Sequence, residues 1–189
     1  MLQFYKPNPK VTGSACSFWA STTEKAVFGS FIKQDGWNTK SRTGSFNKNK
    51  DNPKAKAIVK FSVAEAASLI YAISRNETFS AYHDSKNQIT KINFKPYMKE
   101  GKQAGFSYGV NKDSKEDSTN KSSFIIGLTF GEATALRIYL ERNLVKIFDV
   151  MDIPHTDASH LSSNKPLGKP AKKTEESASE NSDILDEEW

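Results

Sequence analysis

The sequence predicts an α+β protein in which a unit of four strands and a helix occurs twice. Three observations carry this. Residues 58–76 line up with residues 125–143, 67 positions further on. Each copy passes from a two-residue alternation of apolar side chains into a helical period. At the change each carries an S/T-x-x-E capping box, Ser62 with Glu65 and Thr129 with Glu132. In such a box the hydroxyl accepts from an amide in the first helical turn while the carboxylate reaches back to the cap amide, so the donors left over at a helix start are satisfied. Two boxes at one offset mark a duplicated junction.

Each element follows from its own pattern. Before the first cap, alternation places Ala57, Val59 and Phe61 on one face, and Phe124, Ile126 and Leu128 hold the equivalent positions of the second copy. After the caps, Ala66, Leu69, Ile70 and Ile73 form one helical stripe, and Ala133, Leu136, Leu140, Leu144 and Ile147 the other. Each helix thus has one side to bury against a sheet. Upstream, residues 1–14 hold two prolines and a glycine without periodicity, which predicts an irregular N-terminal arm. Strands are expected at about 16–21 and 25–35, closed by the turn signal Asp35-Gly36. Residues 37–56 carry Lys40, Arg42, Lys48, Lys50, Lys54 and Lys56 against Asp51 alone, and read as a strand inside a long basic hairpin. The second unit contributes strands at 79–84, 88–97 and 104–110, then a mixed-charge loop over 111–121. The expected domain therefore spans 15–152, with units of about 15–76 and 77–150. Beyond it, Pro154, Pro166 and Pro170 among Ser, Lys and Glu predict a disordered tail over 153–189.

Composition narrows the partner. The 189 residues are 37% hydrophobic, enough for one core, and the net charge is +5. That charge is unevenly spread. Residues 174–189 carry seven of the 22 acids and no base, leaving residues 1–173 with 27 bases, 15 acids and a net +12. A basic body with an acidic end points to an anionic partner for the body. The lone Cys16 fits a reducing compartment. No apolar run approaches the roughly 20 residues that span a bilayer, so no membrane partner and a cytoplasmic location are expected.

Bases and aromatics interleave on the strands. Lys56 and Lys60 point away from the apolar side of the first repeat strand, and Lys91, Lys95 and Tyr97 do so on the 88–97 strand, where Ile92 and Phe94 face the core. Lys33, Trp37, Lys40, Arg42, Phe46, Lys48, Tyr82 and Tyr108 lie nearby in the predicted strands and turns. Such a surface suits a single strand of nucleic acid, whose unstacked bases sit on aromatic faces while Lys and Arg follow its phosphates. The competing reading is a solvated outer face over a core that takes the aromatics, and it is the better one for Phe94 and Phe106. At the outer positions of the duplicated strand, Lys56, Ile58 and Lys60 stand where the second copy has Ser123, Ile125 and Gly127, which predicts stronger charged contacts in the first half.

Catalysis finds no constellation. His83 and Asp84 are adjacent without a companion cluster, His155 and His160 lie in the tail, and Cys16 has no histidine to activate it, so no catalytic residue, metal or cofactor is expected. The glycines form neither a P-loop nor a dinucleotide fingerprint.

The duplicated unit resembles the Whirly family of single-stranded-DNA-binding proteins over residues 15–150. The likeness rests on the junction from Phe61 to Ile70, on Tyr82-His83-Asp84, and on the second junction through Thr129 and Glu132. It implies two antiparallel sheets packed at an angle with two helices, tetrameric assembly through the helices, and single strands held along the sheets with little sequence preference. The acidic end resembles the C-terminal tails of bacterial and phage single-stranded-DNA-binding proteins. That likeness implies docking of replication or recombination proteins through Ile184, Leu185 and Trp189, and a phage-encoded protein working in the host cytoplasm. The expected function is a single-stranded-DNA binder that coats and protects unpaired strands in replication, recombination or repair. An RNA-binding protein or RNA chaperone, and an adaptor for an acidic protein, remain alternatives.

Overall fold

The computed structural model describes residues 1–117 and 121–152. Its first unit runs β1 (Leu2–Lys6), β2 (Ser14–Ser21), β3 (Ala26–Lys33), a small hairpin of β4 (Gly36–Asn38) and β5 (Thr43–Ser45), a short 3-10 turn (Asn47–Asn49), β6 (Lys56–Phe61) and α1 (Val63–Arg75). The second runs β7 (Phe79–Asp84), β8 (Gln88–Lys99), β9 (Lys102–Ser114), β10 (Lys121–Leu128) and α2 (Phe130–Met151). Two four-stranded antiparallel sheets result, in the orders β1-β2-β3-β6 and β10-β9-β8-β7. The expected α+β fold, a duplicated ββββα unit with two helices, is the one observed.

Two details of the first unit correct the sequence reading. Residues 2–6 of the expected arm are a strand, β1, pairing with β2 and burying Phe4. The compact unit therefore takes in residues ahead of 15. Five residues bounded by Pro7 are too short a pattern to read, and only pairing with β2 across the following loop makes them a strand. The expected strand within 37–56 is likewise absent from the main sheet. Its place as fourth strand is taken by β1, while β4 and β5 pair only with each other. This insert, which the second unit lacks, is tied down by Gln34. The buried Gln34 amide oxygen accepts from the Asn8 and Gly13 amides, and its nitrogen donates to the Asn8 and Gly36 carbonyls.

Both capping boxes form as read, with Ser62 and Thr129 accepting from the Glu65 and Glu132 amides and both carboxylates reaching back to the cap amides. Asn76, in the left-handed conformation at φ 61°, ends α1. The stripes bury Ala66, Leu69 and Ile73 on α1, joined by Ala72, and Ala133, Leu136, Leu140, Leu144 and Ile147 on α2. Ile70 is only half-buried. These stripes and the inner faces of both sheets make one continuous core. At its centre the Tyr108 ring lies 4.6 Å from Phe31, 5.7 Å from Phe18 and 6.2 Å from Phe94, binding the two sheets together.

The two units are also crossed at their edges. Lys6 at the end of β1 pairs with the capping-box Glu132 of the second helix, and His83 near the end of β7 lies 2.6 Å from the capping-box Glu65 of the first. Each first strand therefore supports the helix start of the other unit.

Candidate nucleic-acid interface

The outer face of the second sheet is set by register. On β8 alternation turns Thr90, Ile92 and Phe94 inward, leaving Lys91, Asn93 and Lys95 outside. Antiparallel pairing then aligns Tyr82, Lys91, Asn111 and Ser123 in one cross-strand row, and Ser80, Asn93, Gly109 and Ile125 in the next. Lys95 and Ser107 continue the series, and Tyr97 follows opposite Gly105. At Gly105 φ is +144° and an added Cβ would stand 2.2 Å from the Leu128 carbonyl oxygen, so only glycine fits where β9 passes the end of β10. A groove of about 600 Å³ runs over these rows, with Tyr82, Lys91 and Lys95 on its walls. Tyr82 and Tyr97 are 57% and 50% exposed, so both rings are available as stacking platforms. Lys91 lies 3.8 Å from Asp113 in a loose ion pair.

The first sheet carries a different surface. Its outer face pairs Trp19 with Phe28 in a parallel stack at 5.3 Å and 9°, and the Lys60 amine sits 5.7 Å over Phe28. Lys60 is also bonded to Glu24 at 2.8 Å, which reduces the charge it offers a ligand. Lys56 is half-buried on the same face beside exposed Ile58. Phe46 meets Tyr5 edge to face at 5.9 Å. In the insert, Trp37, Lys40 and Lys48 line a shallow basin of about 670 Å³, and Arg42 is exposed in the β4–β5 turn. Lys33 ends β3 with its amine 5.1 Å over the Phe124 ring, at the junction of the sheets.

One expected contact is overturned. Tyr108 is fully buried, because it shares its face of β9 with Phe106 and Val110, while Ser107 and Gly109 take the outer positions. It is a core residue and does not reach the groove. Sequence reading in turn passed over Tyr5, Trp19, Phe28 and Lys112. Trp19 and Phe28 alternate with Phe18 and Phe31, and with aromatics at both parities the pattern names neither face. The tail residues Ile184, Leu185 and Trp189 lie outside the described residues.

Electrostatics concentrate at three places. For Glu65, burial pushes the carboxyl up, but the Ser62 amide and the His83 ring outweigh it and hold it below the ordinary 4.5. Glu132 is held low in the same way by Lys6 and the Thr129 amide against its burial. Burial, aided by the Glu132 charge and opposed by Lys6, raises the Cys16 thiol to about 12, which leaves it an unreactive core group. Among the described residues no group of His, Cys, Asp and Glu converges as a metal site, and no helix is long and apolar enough to cross a membrane.

Taken together, the sheets, helices and duplicated order define a Whirly-like α+β fold. Solved structures share it. WHY1 from Arabidopsis thaliana is 16% identical with a TM-score of 0.53, covering 76% of this chain and 81% of that one. The plant transcriptional regulator PBF-2 is 14% identical with a TM-score of 0.55, covering 78% and 89%. MRP1/MRP2 of Trypanosoma brucei is 12% identical with a TM-score of 0.50, covering 78% and 94%. No family model and no curated protein sequence matches the chain.

Proposed function

We propose that this chain is a non-enzymatic single-stranded-DNA-binding protein that coats unpaired strands during replication, recombination or repair, with little sequence preference. The observation that carries the proposal is the second-sheet groove, where exposed Tyr82 stands with Lys91 and Lys95 among Ser80, Asn93, Ser107, Asn111 and Ser123, and exposed Tyr97 follows two residues beyond Lys95 on the same strand. A single strand supplies both the free base faces and the flexible phosphates such a groove takes; a duplex supplies only phosphates. A net charge of +12 on residues 1–173, and a transcriptional regulator built on the same fold, support the same reading.

The finer features belong to the proposal as well. Exposed Ile138, Val145 and Phe148 on α2, with Tyr71 on α1, support assembly of like chains through the helices. The acidic residues 174–189 dock replication or recombination proteins through Ile184, Leu185 and Trp189, in the cytoplasm, or the host cytoplasm for a phage-encoded chain.

Anisotropy titrations with one sequence as single-stranded DNA, duplex DNA and RNA test the function. Single-stranded DNA should bind far more tightly than duplex, and more weakly as salt rises. Tyr82→Ala should lose the stacking share of about 1–3 kcal/mol. Equal affinity for duplex refutes the proposal, tighter binding of RNA turns it to an RNA chaperone, and no binding at low salt favours the protein adaptor.

A further inference from the structure

Lys112 occupies an unusual place. It lies on β9 one alternation beyond Val110, so its side chain enters from the inner face, where the core gives way to polar groups. Its cross-strand neighbours are Thr90 and Ser122, both buried. The lysine is half-buried, and that burial lowers its pKa from the ordinary 10.5. Among the described residues no acid pairs with it. An ammonium withdrawn from water without a counter-charge is costly, and the usual remedies are an acid, deprotonation or a bound anion.

The surroundings favour the anion. Two clefts meet at Lys112. One, of about 360 Å³, is walled by Lys50, Asn52 and Lys56 and opens at Ile58 onto the outer face of the first sheet. The other, of about 130 Å³, lies between Pro53-Lys54 of the insert and Ser114 and Ser122 of the second sheet. Four lysines thus face two adjoining cavities with Asp51 as the single acid on their walls. Serine hydroxyls and the Asn52 and Gln88 amides supply the neutral donors that an oxyanion needs beside its cations.

We propose that this cleft, between the insert and the inner end of the second sheet, is a phosphate site in which Lys112 holds a phosphate of the bound single strand. The inference rests on the function proposed above and names a contact outside the second-sheet groove. It also gives the insert a task, since Lys50, Lys54 and Pro53 come from the segment that only the first unit carries. A strand lying on the outer face of the first sheet reaches the cleft past Ile58 and Lys56. Either an internal phosphodiester or a terminal phosphate fits this chemistry.

The test follows the Lys112 amine directly, by the chemical shift of its Cε carbon in full-length protein. Three probes are added separately: a 5′-phosphorylated oligonucleotide, the same oligonucleotide with a 5′-hydroxyl, and inorganic phosphate. A shift and a raised Lys112 pKa with both oligonucleotides mark an internal phosphodiester; a response confined to the phosphorylated one marks a terminal phosphate. In anisotropy titrations Lys112→Gln should bind about tenfold more weakly at low salt. Its slope of log affinity against log salt should fall by about 0.7. Lys112→Arg, which keeps the charge, should retain the slope, and melting of both variants checks that they fold. An unmoved Lys112 signal while the oligonucleotide is bound overturns the phosphate site and leaves the function standing. If the oligonucleotides fail to bind at all, the function falls, and the inorganic phosphate probe decides the site alone: no response refutes it, and a response establishes a site for free phosphate.

Discussion

Replacing Tyr108 by phenylalanine should stabilise the protein. The Tyr108 hydroxyl is buried with no hydrogen-bond partner among the described residues, and it lies over Gly29, where an added Cβ would stand 3.3 Å from it. A buried polar group left unpaired costs about 1–3 kcal/mol. Removing the oxygen leaves a void of roughly one atom, on the order of 10 Å³, whose cost at about 24 cal/mol per Å³ is a few tenths of a kcal/mol. The difference favours Tyr108→Phe by about 1–2.5 kcal/mol, at roughly 2–4 °C in Tm per kcal/mol for a domain of this size. Urea unfolding followed by tryptophan fluorescence measures it, with an unchanged slope as the sign that only stability moved. Oligonucleotide affinity should stay as it is, since the ring lies between the sheets. A loss of about 1 kcal/mol would refute the reasoning, because the phenol would then hold a partner such as a buried water. Alkali supplies an independent check. Burial holds the Tyr108 phenol well above 10 and raises Cys16 to about 12, so folding favours the neutral form of both groups. A pKa raised by folding contributes stability that is complete below the unfolded value and lost as pH climbs toward the folded one. The wild type should therefore weaken from about pH 9 upward, and Tyr108→Phe should weaken less.

Other perturbations address the remaining assignments. Phe4→Ala should cost about 3 kcal/mol in the same urea assay, since the ring is buried and packs edge to face on Phe18 at 6.5 Å; a neutral result would return residues 1–14 to an irregular arm. Glu65 and Glu132 both have pKa values lowered by folding, so the stability they add is present above their ordinary 4.5 and lost as pH falls through the folded values. The double variant Glu65→Gln/Glu132→Gln should flatten that acid limb and cost about 1 kcal/mol per site at neutral pH, and an acid limb as steep as the wild type's would contradict this. Val145→Glu, at an α2 position that is 58% exposed, should turn an oligomer into monomer by light scattering without lowering Tm. A wild type that is already monomeric at micromolar concentration would sink the helix-mediated assembly.

The duplicated junctions were legible because each is written locally: alternation, a capping box and a helical stripe follow one another within twenty residues. Strand β1 was not, because nothing in Leu2-Gln3-Phe4-Tyr5-Lys6 outweighs the prolines that follow; its partner lies beyond the next loop. The outward lysines and Tyr82 followed from parity on β7 and β8. Parity would also have placed Tyr108 inside, since Ser107 and Gly109 flank it, had the small residues been given as much weight as the aromatic between them. Lys112 shows the limit of that rule. It keeps the parity of the core residues Phe106, Tyr108 and Val110, yet what makes it distinctive is the want of an acidic partner among the described residues, which no strand pattern encodes.

The crossed pairing of Lys6 with Glu132 and of His83 with Glu65 bears on how the chain comes apart. Neither unit owns the side chain that steadies its own helix start, so fraying of one edge strand strips a capping-box carboxylate in the opposite unit of its partner. Each unit is thereby a structural hostage of the other, and partial states with one unit intact and the other melted are disfavoured at both junctions together. Loss of structure on heating should be a single concerted event, and a cut in the link after α1 should leave two fragments that elute as one particle.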